Sequence, residues 1–173
     1  KLAHTSLKAQ RLEVPYYMSY LEGDEKEAYM EDVQTVEDYA ELNRQIIVRE
    51  ILKGMKWKAV EQFSVAHNYL DASRVLRKGA IAAEKGFQVI IPANMRDGML
   101  LGIGLGNEDW NCSAPHGSGR RLKREDVKSW YTVSDFKREM KGIYSSCVGT
   151  DTLDEAPFAY RSLAEIAERI GDT

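Results

Sequence analysis

Cysteine is almost absent from this chain. Two residues in 173, Cys112 and Cys147, are too few for a disulfide scaffold or a thiolate zinc site, and they fit a reducing cytoplasm. Histidine is nearly as scarce, with only His4, His67 and His116. No apolar run approaches the ~20 residues that a membrane helix needs, so no membrane partner is expected. Base is not in excess either. With 24 Lys+Arg against 27 Asp+Glu the net charge is -3, which excludes a generic polyanion coat but leaves room for a local basic site. What is present is a globular composition, 43% hydrophobic and 29% charged. The length fits one domain or a piece of one. The chain starts at Lys1-Leu2-Ala3-His4, without an initiator Met or a signal-peptide core, and stops just after a helix stop. The expectation is a portion of a longer protein.

Residues 1–14 read as helical up to Pro15. A long helix is expected from Asp24, capping Glu27, to a stop at Gly54, with Tyr29, Val33, Val36, Ala40, Ile47 and Ile51 at helical spacing. Its acidic face (Glu31, Asp32, Glu37, Asp38, Glu41) reads as solvated. Beyond Gly54 the pattern turns to strands: residues 63–69 paired with 73–76 around an Asp71 turn, then 88–91 ending at Pro92, then 99–103. Residues 104–119 are rich in Gly, Asn, Ser and Pro, fit no regular element, and are long for a casual connection. Ser134 is read as the cap of a short helix that turns Phe136 and Met140 inward, with a strand at 143–149. Ser162 and Glu165 form a capping box for a last helix that shows Leu163, Ile166, Ala167 and Ile170 on one face. The expected fold class is α+β, a mixed strand-rich core with a long flanking helix.

His116 stands in Pro115-His116-Gly117-Ser118-Gly119-Arg120, followed by Arg121, Lys123 and Arg124. Small residues let a phosphate approach the main-chain N–H groups, and an imidazole beside such a loop can attack phosphorus. A turn whose histidine only hydrogen-bonds, with a solvated basic run, is the other reading. His67, in Val65-Ala66-His67-Asn68-Tyr69, could ligate a metal from a strand, but needs about three further donors that the local sequence does not offer. Without them it reads as a core histidine. Arg77-Lys78-Gly79-Ala80 could hold a phosphate. The glycines at 102, 104 and 106 have the wrong spacing for a dinucleotide fingerprint, and Cys112 has no base near it in sequence.

Taken in order, Val65-Ala66-His67-Asn68, Arg77-Lys78-Gly79-Ala80, Ile91-Pro92 with Met95, Gly106-Asn107, Cys112 to Arg120, Gly142-Ile143-Tyr144 and Asp154-Glu155-Ala156-Pro157-Phe158-Ala159-Tyr160 resemble the C-terminal half of the RtcB family of RNA ligases. The resemblance implies an RtcB-like catalytic domain of which residues 1–173 are the C-terminal portion. It implies a GTP- and Mn-dependent enzyme that joins an RNA 3′-phosphate or 2′,3′-cyclic phosphate to a 5′-hydroxyl, in tRNA splicing or repair. The family nucleophile falls on His116 and one Mn-ligating histidine on His67. Asn94, Gly117, Ser118 and Tyr160 fall at the guanine nucleotide. Arg77, Lys78, Arg120 and Arg124 would hold substrate or nucleotide phosphates. The other metal ligands would lie upstream of Lys1 and a GMP-positioning lysine beyond Thr173, so these residues alone are expected to be inactive. The chain departs from the family pattern at Leu76, Ala93, Asn94, Arg96, Pro115, Ser118 and Lys123. A second reading is a non-catalytic RNA-phosphate-binding or interaction module; a metal-dependent hydrolase is disfavoured because no general base pairs locally with His67. Whether an activating protein takes part is left open.

Overall fold

The computed structural model describes residues 1–10, 12–71 and 73–173. The end of the helix expected over 1–14 includes Arg11, and the Asp71 turn includes Ala72; both residues lie outside the described set. The chain divides into two compact units, residues 1–62 and 63–173.

The first unit is helical. Helix α1 spans Leu2–Ala9 and α2 spans Gly23–Met55. The expected acidic cap at Asp24 does not form: the helix begins one residue earlier, after Glu22, which places Asp24 and Glu25 inside the first turn. There their charge favours the N-terminal end of the helix dipole. Gly54 is not the stop. Lys56 closes the helix in the left-handed conformation, with its N–H and that of Trp57 returning to Lys53 and Leu52. Tyr29, Val36, Ile47 and Ile51 are exposed, whereas Val33 and Ala40 of the same spacing are half-buried.

Among its described residues the second unit holds three antiparallel two-stranded ladders. They pair β1 (Tyr69–Leu70) with β2 (Leu76–Arg77), β3 (Ala80–Ala82) with β6 (Ser113–Pro115), and β4 (Gln88–Asn94) with β5 (Gly98–Ile103). The fold class is α+β, as expected. Several strands differ from expectation. Asn68 turns left-handed (φ 55°), which breaks the extended run before Tyr69 and leaves His67 off the strand. Strand β4 runs through Pro92 to Asn94, because the missing N–H falls at an irregularity in the β4–β5 register. Residues 104–119 do contain structure, a 3₁₀ turn at Glu108–Trp110 and the strand β6. A three-residue strand of small residues and proline has no alternating signature; its partner β3 decides it. The strand expected at 143–149 is replaced by turns, with Ser145 and Thr152 hydroxyls bonding the backbone in place of a ladder.

Two small cores hold this unit. Ile81, Ala83, Val89, Ile91, Ala114 and Ile166 form the first, and Val127, Phe136, Met140, Leu153, Ala156 and Ala159 the second. Helices α3 (Arg124–Trp130) and α4 (Val133–Glu139) bury Val127 and Phe136 in the second core. Helix α5 (Leu163–Arg169) buries Ile166 in the first; of the expected capping box one half forms, Ser162 accepting from the Glu165 N–H, while the Glu165 carboxylate faces Arg161 and Arg169. The cap of α4 is Thr132 rather than Ser134. A reciprocal box needs an acceptor three residues on; Thr132 has Asp135 there, whereas Ser134 has Lys137.

Asp135 accepts from the Thr132 hydroxyl and N–H and from Arg138, which lowers its pKa from 3.8 to about 2. A depressed carboxylate stabilises the fold above its ordinary value and loses that contribution as pH falls toward the folded value. The cap is therefore expected to be intact at pH 5 and to weaken between about 4 and 2, a window that Asp135→Asn abolishes in an acid titration followed by circular dichroism. Thr132→Ala is expected to destabilise by about 1 kcal/mol in a urea melt.

Candidate active site

Two turns and one loop converge in the second unit. Strand β6 delivers the chain from the first core, where Ala114 is buried, and His116 emerges exposed immediately after it. The His116 N–H approaches the Gly79 carbonyl at 3.4 Å. Gly79 adopts φ +70°, and a Cβ built there would lie 3.7 Å from His116 Cδ2, so a bare backbone forms one wall beside the imidazole. Asn68 fixes that turn, its Oδ1 accepting from the Gly79 N–H at 2.6 Å. Asn68 follows His67 directly, and the two imidazoles stack, with centroids 5.0 Å apart and planes 8° from parallel. His67 is exposed, not a core residue as its isolated reading would have it.

Past His116 the loop is pinned to β4. Ser118 is buried; its N–H donates to Pro92 O at 3.0 Å and its hydroxyl to Ala93 O at 3.0 Å. Gly117 passes so close to Pro92 O that a Cβ would come within 3.3 Å. Asn94, four residues along from Ile90 on the same strand, folds its side chain into the β4–β5 turn, bonding Asp97 and the N–H groups of Arg96 and Asp97. Arg120 then bridges to Tyr160 on the second core. Its guanidinium lies 5.0 Å over the Tyr160 ring and donates to the Tyr160 hydroxyl at 3.2 Å and to the Leu122 and Asp154 carbonyls. The Tyr160 hydroxyl donates to Glu155; burial, then this carboxylate, push its pKa up. Arg124 pairs with Asp154 at 2.6 Å and with Glu155, and that bond to Arg124 holds Asp154 below the ordinary carboxylate range.

The four expected phosphate contacts thus stand in different situations. Lys78 is exposed, with no ion pair among the described residues. Arg77 is buried, 3% exposed, and committed to Asp71, to Ser113 Oγ at 3.0 Å and, at 3.5 Å, to Glu84. The Val75 N–H and Arg77 together hold Asp71 below the ordinary carboxylate range. Arg120 and Arg124 face carboxylates and carbonyls of their own chain. Asn68 and Glu155 are the working residues that residue-by-residue reading left without a role. An asparagine, a residue type that tolerates the left-handed conformation, directly after a candidate ligand histidine was the available signal for the first; the second had none apart from its neighbour Asp154.

The donor set does not close around a metal. Among the described residues no group of three or more His, Cys, Asp and Glu could hold an ion, and His67 has only another imidazole beside it. An apolar recess of about 170 Å3 between the β4–β5 hairpin and α5, lined by Val89, Ile91, Leu100 and Ile170, includes none of the expected site residues.

The family model described as tRNA-splicing ligase RtcB matches residues 4–172. The RNA-splicing ligase RtcB of Escherichia coli K12 is 29% identical over 163 residues, covering 83% of this chain and 40% of that protein. The tRNA-splicing ligase RtcB of Nanoarchaeum equitans is 29% identical over 187 residues, covering 85% and 39%, and that of Aeropyrum pernix is 28% identical over 182 residues, covering 83% and 38%. The chain spans about 40% of the length of these relatives.

Proposed function

We propose, because this chain belongs to the tRNA-splicing ligase RtcB family, that the full-length protein is an RNA ligase that acts on broken RNA ends. The observation that carries the finer reading is the exposed His116 imidazole, walled by the bare Gly79 backbone and stacked on His67. In this reading a His116 ring nitrogen attacks the α-phosphorus of GTP. An N–P bond forms, the P–O bond to pyrophosphate breaks, and pyrophosphate leaves. GMP then passes to an RNA 3′-phosphate, freeing the imidazole, and a 5′-hydroxyl displaces GMP to make the new phosphodiester.

The chain's own residues orient this chemistry. The stacked His67 ring and the Gly79 wall hold the plane of the nucleophile. Ser118 fixes the loop to β4. Lys78 offers a free ammonium for phosphate, and Tyr160, held by Arg120 and Glu155, stands ready for the nucleotide. Asn94, Gly117, Arg120 and Arg124 complete the proposed nucleotide and phosphate contacts, whereas the proposed role of Arg77, buried against Asp71 and Ser113, is to position the β1–β2 turn.

GTP and Mn are the proposed nucleotide and metal. His67 would give one Mn donor, with the others coming from outside these 173 residues, so the piece alone is expected to take no label. His67→Ala in the full-length protein is expected to weaken Mn binding at least about ten-fold, read directly from free Mn by electron paramagnetic resonance. Two unpaired cysteines, Cys112 and Cys147, support a reducing cytoplasm. Among the described residues no helix is long and apolar enough to cross a membrane. The deciding experiment incubates the full-length protein with Mn and GTP labelled at the α-phosphate. A label mapped by peptide digestion to His116 is expected; an unlabelled protein that still binds RNA would give the non-catalytic reading instead.

A further inference from the structure

One cation beside the His116 loop is assigned to nothing above. The backbone N–H of Arg161 donates to Gly119 O at 3.1 Å, continuing the Arg120–Tyr160 bridge. Its side chain then folds back over Gly119, so close that a Cβ on that residue would meet guanidinium NH1 at 2.9 Å. Gly119 is also left-handed, at φ +71°. The left-handed conformation calls for glycine there, and the absent side chain leaves room for the guanidinium to lie against the loop backbone three residues after His116.

What separates Arg161 from its neighbours is how little it is bound. Arg77, Arg120 and Arg124 each donate hydrogen bonds to groups of their own chain. The Arg161 guanidinium makes no hydrogen bond among the described residues, and its one ion pair, to Glu165, is long at 3.9 Å. Arg169 shares that carboxylate at 3.8 Å. The Arg161 side chain is 48% exposed. A planar fork of five donors, held at a loop of small residues and almost unpartnered, matches the oxygens of a phosphate.

We propose that Arg161 is a phosphate-contacting residue of the His116 loop, taking a phosphate of the substrate RNA or of the nucleotide. This rests on the ligase reading. Ser118 and Gly79 shape the loop, while Arg161 supplies a directional contact.

The test compares wild type, Arg161→Gln and Arg161→Lys in the full-length protein, with two readouts. The first is binding of a short single-stranded RNA ending in a 3′-phosphate, across a salt series. The second is the GTP dependence of His116 labelling in Mn. If the phosphate belongs to RNA, Arg161→Gln weakens RNA binding about ten-fold and lowers the slope of log affinity against log salt by about 0.7, with GTP half-saturation unchanged. If it belongs to the nucleotide, GTP half-saturation rises about ten-fold and the RNA slope stays. In either arm Arg161→Lys recovers part of the loss, because the charge returns without the fork. A glutamine variant with wild-type values in both readouts, beside a labelled wild type, overturns the Arg161 assignment alone. A wild type that takes no label and binds no RNA overturns the ligase reading and this assignment together.

Discussion

His116→Ala is expected to reduce covalent guanylylation of the full-length protein to background while leaving its stability within about 0.5 kcal/mol of wild type. The two halves of this expectation have separate causes. The imidazole is exposed, stacked on His67 and against the edge of Gly79, so little burial is lost on truncation. The backbone bond to Gly79 and the Ser118 anchor remain in the variant, so the loop keeps its course. What disappears is the ring nitrogen, for which His67 cannot substitute, because it occupies the other side of the stack and follows a different backbone. Labelling with α-labelled GTP and a thermal melt of the same preparation check both halves. A labelled alanine variant would move the nucleophile elsewhere; a badly destabilised one would show that the loop depends on the ring.

Arg77→Ala is expected to destabilise the second unit by about 3–5 kcal/mol and to lower His116 labelling as a consequence. Arg77 is 3% exposed, and its guanidinium joins the β1–β2 turn, through Asp71, to β6, through Ser113 and the Asn111 carbonyl. Its removal leaves a carboxylate that is 21% exposed without its cation, beside carbonyl and hydroxyl groups that have lost a donor. The same segment carries Lys78 and Gly79, so the wall of the imidazole shifts with it. Urea melts measure the stability. An arginine whose task was to touch RNA would show the opposite pattern, with affinity and its salt slope changed and the melt preserved.

The sequence was most legible where local chemistry decides structure. The Ser162 cap of α5 and the inward Phe136 and Met140 follow from spacing alone. It was less legible where two local solutions compete. Ser134 and Thr132 both offer a hydroxyl, and the acceptor three residues later chose between them. It was least legible in residues 104–119, where a three-residue strand exists only because β3 lies alongside. Arg77 shows the same limit in the site. Its residue type suggested a phosphate, but whether a guanidinium faces solvent or Asp71 depends on how a turn folds.

The amino-acid sequence by itself determined the family, and its small-residue run from Gly117 to Gly119 beside His116 is what carries the proposal of that residue as nucleophile, because both rest on residue identity and order. Tertiary structure alone decided that His67 and His116 stack, that Ser118 and Arg77 are interior fasteners, and that Arg161 leans on the loop almost unpartnered. Such pairings join residues far apart along the chain. They arise from β3–β6 and Arg120–Tyr160 contacts, which bring distant backbones together and thereby settle which donors are consumed and which stay free.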